Sequence, residues 1–405
     1  MDRRTAAVYE AQAGAWIARR RPDAVQDGRF EAFARLLRRG DRVADLGCGP
    51  GWYAAELDAR GFNVVAMDVA MAMLAHVGHR APDTPRVRGD LVHLPFADRS
   101  LDGAWAVNCY QHVPNADLPR ALASVHAALR PQAPLALSLG NVAQLRPTPN
   151  ELKRGEAERR ASKRELRGRL FTGVTVERAR ALLEGAGFER VTVEPLDDSF
   201  WLWVHARRAR TLPDFICPGL RLLTCGLNPS IYSADAGIPF ARPGNRFWAA
   251  GRAAGLVVTE RDPLDALRRG IGMTDLVKRA TAAAAEVRRD EYAAGLRRLE
   301  AVVRRYRPGA ICFVGLEGWR TVADRHAQPG WIAGGFGGRP AYLMPSTSGR
   351  NARVQLAELA AHLRTVSPPA RPRGGPRPLD LARRRHHPSP VQALGNHQPP
   401  HASRT

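Results

Sequence analysis

Three segments in the C-terminal half carry side chains that could act on a planar base. Asn228 follows the apolar run 220–226, and the proline after it fixes a turn that leaves the amide pointing from the end of a predicted strand. Phe240 lies in a rigid aromatic loop and could stack on such a base. The loop 344–351 (MPSTSGRN) is rich in donors suited to phosphate, and Arg350 at its tip could enter a duplex. The alternative for Asn228 is a simple turn or capping residue.

A second motif lies in the N-terminal half, where residues 45–51 (DLGCGPG) follow a predicted strand and open a helix. Glycines at such a turn let the backbone approach a ligand at the carboxyl end of a sheet. The next predicted strand ends at Asp68, from which a carboxylate can accept hydrogen bonds from ribose hydroxyls. Asp90 follows the next crossover, where a carboxylate could bind an adenine amino group. The alternative for these acidic residues is a surface or capping role.

Over roughly residues 33–204, this order of motifs resembles the class I S-adenosylmethionine-dependent methyltransferases, in the small-molecule-like subgroup typified by ubiquinone-biosynthesis enzymes. The resemblance implies S-adenosylmethionine as the cofactor of this half. The residues that it assigns to the cofactor are Asp45, Gly47 and Gly49 at the methionine moiety, Asp68 at the ribose, and Asp90 with Leu91 at the adenine.

The segment 108–114 (NCYQHVP) bears on the methyl acceptor. Enzymes resembling the DNA amino-methyltransferases carry an Asn/Asp-Pro-Pro-aromatic turn that grips a flipped base, and this segment lacks it. Methylation of a base amine is therefore disfavoured, and the acceptor stays unassigned. His112 could act as a general base or as a structural hydrogen-bonding residue.

Over roughly residues 213–364, the C-terminal segments look like those of the mismatch-specific uracil/thymine DNA glycosylases, the Mug and thymine-DNA glycosylase family. The resemblance implies an α/β/α uracil-glycosylase fold and a pocket for an extruded nucleotide. It assigns the hydrolytic water to Asn228 and stacking on the base to Phe240. The further residues that it implies are Leu227 and Ser230 at the base pocket, and Ser346, Ser348, Gly349 and Arg350 in the loop that contacts the DNA backbone and fills the vacated space in the duplex.

The chemistry of such a site explains these residue types. Cleavage of an N-glycosidic bond passes through a sugar of oxocarbenium character, so an amide that aims a water suffices. Because a neutral Asn cannot take a proton, we expect slower turnover than an Asp at position 228 would give, and dependence on a good leaving group such as uracil. Ser230 stands where many relatives have glycine, which bears on the choice between uracil and thymine. Asp275 lies near the expected pocket wall, and its role stays open.

Two successive α/β units are needed to position these motifs. Short apolar runs alternate with helical patterns, which predicts mostly parallel sheets. The predicted strands are 42–47, 63–67, 103–107, 135–139, 190–194, 220–226, 309–314 and 341–344, and the predicted helices are 54–60, 118–129, 175–186, 291–306 and 354–363. The densely charged run 151–169 is interpreted as a solvated helix inserted late in the first unit, with a basic substrate lid as the alternative.

Composition limits the function classes. The 405 residues carry a formal net charge of +22, which by itself only weakly favours a nucleic-acid partner. The five cysteines are scattered without a Cys-x-x-Cys pair, so neither a disulfide framework nor a metal site is expected. The longest apolar runs are too short to span a membrane, and the N-terminus lacks the apolar region of a secretory signal. We expect a cytoplasmic protein, at the bacterial nucleoid when on DNA, with no membrane partner.

The sequence thus predicts an α/β protein with a Rossmann-like methyltransferase domain at 1–209, an α/β/α uracil-DNA-glycosylase-like domain at 210–366, and a disordered Pro/Arg/His-rich tail at 367–405. The expected partner is double-stranded DNA with a G·U or G·T mismatch, beside an unknown methyl acceptor. One alternative makes methylation of a small molecule or RNA the main activity, with the glycosylase half inactive or tethering DNA. Another is a DNA-binding module that recognises mismatches.

Overall fold

Strands and helices alternate through both halves of the chain. The computed structural model describes residues 1–18, 28–162, 167–196, 199–351 and 353–367, so all but the first residue of the predicted tail lies outside it. The strands are β1 Arg42–Leu46, β2 Asn63–Asp68, β3 Arg86–Arg88, β4 Gly103–Ala106, β5 Pro134–Gly140, β6 Glu156–Arg160, β7 Leu170–Val174, β8 Phe188–Pro195, β9 Trp201–Arg208, β10 Leu222–Gly226, β11 Ile271–Asp275, β12 Ala310–Val314, β13 Gly330–Trp331 and β14 Ala341–Met344. The helices are α1 Arg3–Ile17, α2 Arg29–Ala34, α3 Trp52–Ala59, α4 Met71–Arg80, α5 Leu118–Ala128, α6 Pro149–Arg154, α7 Val176–Gly185, α8 Ile231–Ala236, α9 Phe247–Ala253, α10 Pro263–Arg268, α11 Arg289–Tyr306, α12 Glu317–Val322 and α13 Leu356–Val366.

The N-terminal half forms a seven-stranded sheet in the order β3-β2-β1-β4-β5-β9-β8. The first five strands are parallel, and β9 runs antiparallel to both neighbours. All seven residues of β5 are buried, as expected of a central strand covered on both faces. Strand order reverses between β1 and β4, and ligands of open α/β sheets bind at the carboxyl ends beside such a switch point.

The C-terminal half forms a second sheet in the order β11-β10-β12-β14-β13. Four strands are parallel, and only the short β13 is antiparallel. Strands β10, β11 and β12 are buried at every residue, so helices cover both faces of this sheet. The predicted α/β class with two successive mainly parallel sheets is confirmed.

The charged run 151–169 differs from the prediction of one solvated helix. Helix α6 ends at Arg154, and β6 then pairs antiparallel with β7 in a two-stranded sheet of its own. The left-handed residue Gly155 ends the helix, and Thr148 with Glu151 forms its capping box. Charged residues that suggested a solvated helix instead form ion pairs, such as that of Arg159 with Glu151.

The two sheets belong to one structural unit, Met1–Ala370. The segment between β9 and β10, which contains the predicted domain boundary at 209/210, is largely buried, and its Asp214 is 3% exposed. Lys278 joins the two halves, because its ammonium donates to Asp214 at 2.9 Å and to the Gly185 carbonyl at 3.2 Å. Arg298 donates to the second oxygen of Asp214 at 2.8 Å.

Two further findings concern membranes and metals. Within the described ranges, no helix is both long enough and apolar enough to cross a membrane. Among the same residues, no group of three His, Cys, Asp or Glu side chains is placed to hold a metal ion. The five cysteines are all buried free thiols.

Candidate functional sites

A cavity of about 380 Å³ opens at the carboxyl ends of β1 and β2, beside the switch point. Asp45 lines it from the end of β1 and is only 2% exposed. One of its carboxylate oxygens, Oδ2, is buried and has no hydrogen-bond partner among the described residues. Burial, reinforced by the nearby Asp68, raises the pKa of Asp45 to about 8. A backbone hydrogen bond from Ala54 favours the charged form, and the cavity still presents one carboxylate oxygen without a partner among the described residues.

The loop after β1 requires glycine for two reasons. Gly47 has a φ of +67°, and a Cβ built on it would lie 2.4 Å from Cβ of Cys109. Gly49 has a φ of +54°, and a Cβ there would lie 3.9 Å from the Trp16 ring of α1. Both glycines line the cavity, so the predicted close approach of backbone to ligand is sterically available here.

Asp68 lines the same cavity and also organises the loop. Its carboxylate accepts hydrogen bonds at 2.9 Å from the backbone nitrogens of Gly49 and Ala70. Burial raises the pKa of Asp68 against these stabilising bonds. Because each carboxylate oxygen has a second acceptor site, the group can still receive hydroxyl donors.

Asp90 and Leu91 lie in the turn after β3 and are not among the residues that line this cavity. Asp90 accepts hydrogen bonds from the nitrogens of Met1 at 2.5 Å and Val92 at 3.0 Å, and Leu91 is buried in the core at 3% exposure. Their proposed contact with adenine stays a prediction.

His112 also lines the cavity, and both its ring nitrogens form hydrogen bonds. Nδ1 donates to the Leu170 carbonyl at 2.5 Å, since a carbonyl can only accept. Nε2 is then the acceptor for the Tyr9 hydroxyl at 2.9 Å. Burial, together with the nearby Arg169, lowers the pKa of His112 to about 4, so the ring is neutral at neutral pH.

Asn228 lies two residues beyond the end of β10, and three acceptors fix its orientation. Its amide nitrogen donates to Thr281 Oγ1 at 2.8 Å, to the Arg279 carbonyl at 3.0 Å and to the Pro229 carbonyl at 3.3 Å. Carbonyls accept and do not donate, so the nitrogen must face them and the amide oxygen must face away. That oxygen accepts no hydrogen bond from the described residues, which leaves it available to a water.

The other residues predicted for the base pocket are Phe240, Leu227 and Ser230, and each is held by contacts of its own within the domain. Phe240 holds a left-handed φ of +56° and stacks on Phe247 with ring centroids 4.0 Å apart. Leu227 packs partly against the core, and its carbonyl accepts from Val277 at 2.9 Å. Ser230 caps α8, because its hydroxyl accepts from the Ser233 nitrogen at 3.1 Å. Their contacts with a base remain predictions.

Asp275 is a site residue whose role the sequence left open. It ends β11 and is the register partner of Gly226 in β10. A Cβ built on Gly226 would lie 2.5 Å from Oδ1 of Asp275 and 3.3 Å from the Phe240 ring. The Asp275 carboxylate is 7% exposed and accepts no hydrogen bond from the described residues, and burial raises its pKa to about 6. The parallel pairing of β10 with β11, which the sequence did not predict, is what brings it here.

The loop 344–351 is held by its own polar groups. Ser346 Oγ accepts from the Ser348 nitrogen at 3.2 Å, and Ser348 Oγ accepts from the Arg350 nitrogen at 3.3 Å. Gly349 fits against Gly244, where a Cβ would lie 2.8 Å from the carbonyl oxygen. The Arg350 side chain is exposed at the tip, and its described neighbours leave its guanidinium without a hydrogen bond. Arg246 donates to the Asn351 carbonyl at 2.6 Å, so it braces this loop internally.

Comparison with known proteins assigns each half. Residues 43–132 match the sequence model described as a methyltransferase domain, and residues 213–365 match that of the uracil DNA glycosylase superfamily. The chain joins these two domains. The methyltransferase match covers the glycine loop, and the glycosylase-superfamily match covers Asn228 and the loop 344–351.

Several solved structures resemble part of the chain. They include an S-adenosylmethionine-dependent methyltransferase from Methanosarcina mazei, at 20% identity over 43% of this chain and 95% of that chain, with a TM-score of 0.37. Another, from Mesorhizobium loti, has 24% identity over 45% of this chain and 99% of that chain, with a TM-score of 0.36. A third is the 1,6-didemethyltoxoflavin-N1-methyltransferase of Burkholderia thailandensis, at 20% identity over 50% of this chain and 84% of that chain, with a TM-score of 0.38.

Proposed function

We propose that the glycosylase-superfamily domain removes uracil, and thymine in second place, opposite guanine in duplex DNA. The observation that carries this proposal is the orientation of Asn228. Its amide nitrogen is held by Arg279, Thr281 and Pro229, so its oxygen is free to accept a hydrogen bond from an attacking water. In this role the residue aims the water, and the sugar supplies the reactivity.

The surroundings of Asn228 support a dissociative hydrolysis. As the bond between base and sugar lengthens, positive charge develops on the sugar and negative charge on the leaving base. Asp275 places a carboxylate with a pKa of about 6 beside Gly226, and its ionised form would stabilise the cationic sugar and accept a proton from the water. Phe240 would stack on the extruded base. Its left-handed φ is energetically unfavourable for a side chain of this size, and such strained residues cluster at functional sites.

The DNA contacts belong to the same proposal. Arg350 is exposed at the tip of a loop that its own hydroxyls and Arg246 hold in shape. A loop braced in this way, with an exposed guanidinium at its tip that no described residue pairs, is suited to enter the duplex where the nucleotide leaves it. Ser346 and Ser348 would then contact phosphates.

A panel of duplexes tests this activity. The full chain would be incubated with otherwise identical duplexes containing G·U, G·T, A·U or G·C, and abasic sites would be measured after alkaline cleavage. We expect abasic sites with G·U, fewer with G·T, and none with G·C. Binding to G·U without any abasic site would instead support a DNA tether or mismatch-recognition module. Equal cleavage of A·U and G·U would overturn mismatch specificity.

We further propose that the methyltransferase domain uses S-adenosylmethionine, whose bound form supplies an electrophilic methyl group. The residues at the carboxyl ends of β1 and β2 fit this cofactor. The unpartnered Oδ2 of Asp45 would receive a cationic group of the ligand, and Gly47 leaves space that any side chain would fill. Asp68 would bind ribose hydroxyls through its remaining acceptor sites while holding Gly49. Methyl transfer needs mainly positioning, so a strong base is not required.

Calorimetry in several buffers that differ in ionisation enthalpy tests this cofactor site, because it counts the protons released on binding. Asp45 with a pKa of about 8 is mostly protonated at pH 7, and a cationic ligand beside it would drive the proton off. We expect the full chain to bind S-adenosylmethionine at pH 7 with release of nearly one proton, and Asp45→Asn to bind without that release. Equal proton release in both would remove Asp45 from the site. Absence of binding to the unmodified chain would overturn the cofactor itself.

A further inference from the structure

A second cavity of about 760 Å³ adjoins the cofactor cavity of the methyltransferase domain. The two share five lining residues, Tyr9, Trp16, Asn108, His112 and Trp201. The wall that belongs to the second cavity alone comes largely from the segment after β5 and from the hairpin β6–β7. A molecule in this cavity would therefore lie next to whatever occupies the first one.

Aromatic rings line one side of the second cavity in an unbroken series. Tyr9 contacts His112 with ring centroids 5.5 Å apart, and His112 contacts Phe171 at 5.0 Å. Phe171 contacts Phe200 at 5.7 Å, and Phe200 contacts Trp201 at 5.0 Å. Four of these rings, all but the buried His112, are only half-buried, so they offer apolar faces and edges to a flat molecule.

The charges around this cavity are all positive among its described lining residues, which include four arginines and no Asp or Glu. Two of the arginines are already paired with carboxylates that do not line the cavity. Arg159 donates to both oxygens of Glu151 at 2.7 Å, and Arg160 donates to those of Asp2 at 3.0 and 3.1 Å. These two side chains can be explained as structural ion pairs.

Arg169 is different. It is 2% exposed, its Nε is buried without a hydrogen-bond partner, and no described carboxylate lies within ion-pair distance of it. Its guanidinium carbon lies 4.3 Å from the centre of the Tyr9 ring, one of the rings shared by both cavities. Burial of a cation without a carboxylate partner is costly, and a cation–π contact of this kind offsets only part of that cost. A buried guanidinium that lines a cavity and that no described carboxylate neutralises is suited to bind an anion.

We infer that the second cavity binds the methyl acceptor, and that the acceptor is a small planar molecule whose anionic group pairs with Arg169 while its ring lies against Phe171, Phe200 and Trp201. The inference rests on the proposed methyltransferase function and assigns its substrate class. An aromatic carboxylate and an aromatic phosphate ester share the required chemistry. A nucleotide extruded from a polynucleotide is the competing class. Because Arg159 and Arg160 are already paired with carboxylates, few cations remain here for a phosphate backbone, which favours the free small molecule.

Calorimetric titration of the full chain, saturated with S-adenosylhomocysteine, tests the anion requirement. The probes are 2-naphthoate, 2-naphthyl phosphate and the neutral 2-naphthylmethanol, which share one flat ring system. We expect at least one of the two anions to bind about tenfold or more tightly than the alcohol. The carboxylate and phosphate arms show which anionic group the site prefers. Equal affinity for all three probes would overturn the inference.

Arg169→Gln is the matching variant, and Arg167→Gln is its control, because Arg167 is exposed and does not line the cavity. We expect Arg169→Gln to lose the preference for the anion while still binding 2-naphthylmethanol, and Arg167→Gln to retain it. Arg169→Lys keeps the positive charge and should retain part of the preference, which covers the case in which the Gln variant does not fold. An undiminished preference in Arg169→Gln would contradict the assignment.

Two further readouts separate the competing explanations. Binding of S-adenosylhomocysteine by itself reports on the proposed methyltransferase function, so its absence is a different failure from an absent anion preference. Displacement of 2-naphthoate by a single-stranded oligonucleotide of ten thymidines would support an extruded nucleotide and overturn the small-molecule class. We expect no displacement at oligonucleotide concentrations that saturate the glycosylase-superfamily domain.

Discussion

At the scale of single residues, the orientation of the Asn228 side chain is set by its amide nitrogen alone. Its nitrogen contacts three acceptors, whereas its oxygen accepts no hydrogen bond from the part of the chain that the structure describes. The sequence argument expects an Asp here to be faster because it can accept a proton. An Asp would, however, set a carboxylate oxygen against the Arg279 carbonyl, 3.0 Å from the present nitrogen. The groups that hold position 228 thus favour an amide, although a carboxylate would be the better proton acceptor.

Thr281 is the support that can be tested most cleanly. Its hydroxyl accepts from Asn228 and donates to the Ala283 carbonyl, both at 2.8 Å. Thr281→Val removes this hydroxyl without changing the shape of the side chain, and we expect about tenfold slower excision of uracil, the effect of losing one hydrogen bond. Single-turnover rates with a G·U duplex measure this. Thr365→Val, at an exposed position of α13, should retain the full rate, and an unchanged rate in Thr281→Val would contradict the positioning role.

Asp275 predicts a pH dependence. Burial raises its pKa to about 6, so the carboxylate is ionised above that pH and protonated below it. If its charge assists the reaction, single-turnover excision should fall as the pH is lowered through about 6. Asp275→Asn should be about 10- to 100-fold slower at pH 7.5 and flat across this range. Asp290→Asn, on the exposed start of α11, should keep the normal profile. A profile that survives in Asp275→Asn would assign the titration to another group.

At the scale of elements, the turn between β1 and α3 depends on glycine. An Ala at position 47 would combine a left-handed φ with a Cβ 2.4 Å from Cys109, so the loop must move. Gly40 has a φ of +86° with no atom within 4 Å of a built Cβ, so Gly40→Ala carries the φ cost alone, about 1–2 kcal/mol. We expect Gly47→Ala to abolish binding of S-adenosylmethionine and Gly40→Ala to retain it, as measured by calorimetry. Normal binding in Gly47→Ala would show that the loop is not the cofactor site.

The same elements show what the sequence can and cannot predict. The run 310–314 is apolar throughout, the run 134–140 has Ser138 as its one polar side chain, and both lie between turn residues, so local pattern suffices to predict β5 and β12. The loops around Asp45 and Asn228 were predictable because each follows such a strand. Hairpin β6–β7 was not, since its strands are stabilised by partners far along the chain, such as the bond from Asn115 to the Ala157 carbonyl. The role of Asp275 was hidden for the same reason, because only its register with Gly226 brings it to the site.

At the scale of the whole molecule, the buried Asp214 and its two half-buried partners, Lys278 and Arg298, connect the two halves of the chain. Burial alone would raise the pKa of Asp214, but Arg298 and Lys278 outweigh it and hold that pKa below its usual value. The Asp214 carboxylate therefore contributes stability at neutral pH, and this contribution is lost only as the pH falls through its lowered pKa. Because Lys278 also donates to Gly185 and Leu212, the cluster spans the junction.

Removing the negative charge of this cluster should destabilise both domains at once. We expect Asp214→Asn to lower the free energy of unfolding by about 3–5 kcal/mol, because it leaves the half-buried cations Lys278 and Arg298 without the buried carboxylate that they share. The control is Asp235→Asn, which breaks a partly exposed pair with Arg210 and should cost less than about 1 kcal/mol. Denaturant titrations followed by far-UV circular dichroism measure both. A loss in Asp214→Asn no larger than the control would contradict the junction's role in stability.

The central claim is that the amide of Asn228 directs hydrolysis of the glycosidic bond. The most direct measurement compares Asn228→Ala with the unmodified chain for binding and for single-turnover cleavage of one G·U duplex. We predict that the variant binds this duplex with unchanged affinity and cleaves it at least about a hundredfold more slowly, as expected when a group that acts mainly in the transition state is removed. Cleavage at the normal rate by Asn228→Ala would contradict the account.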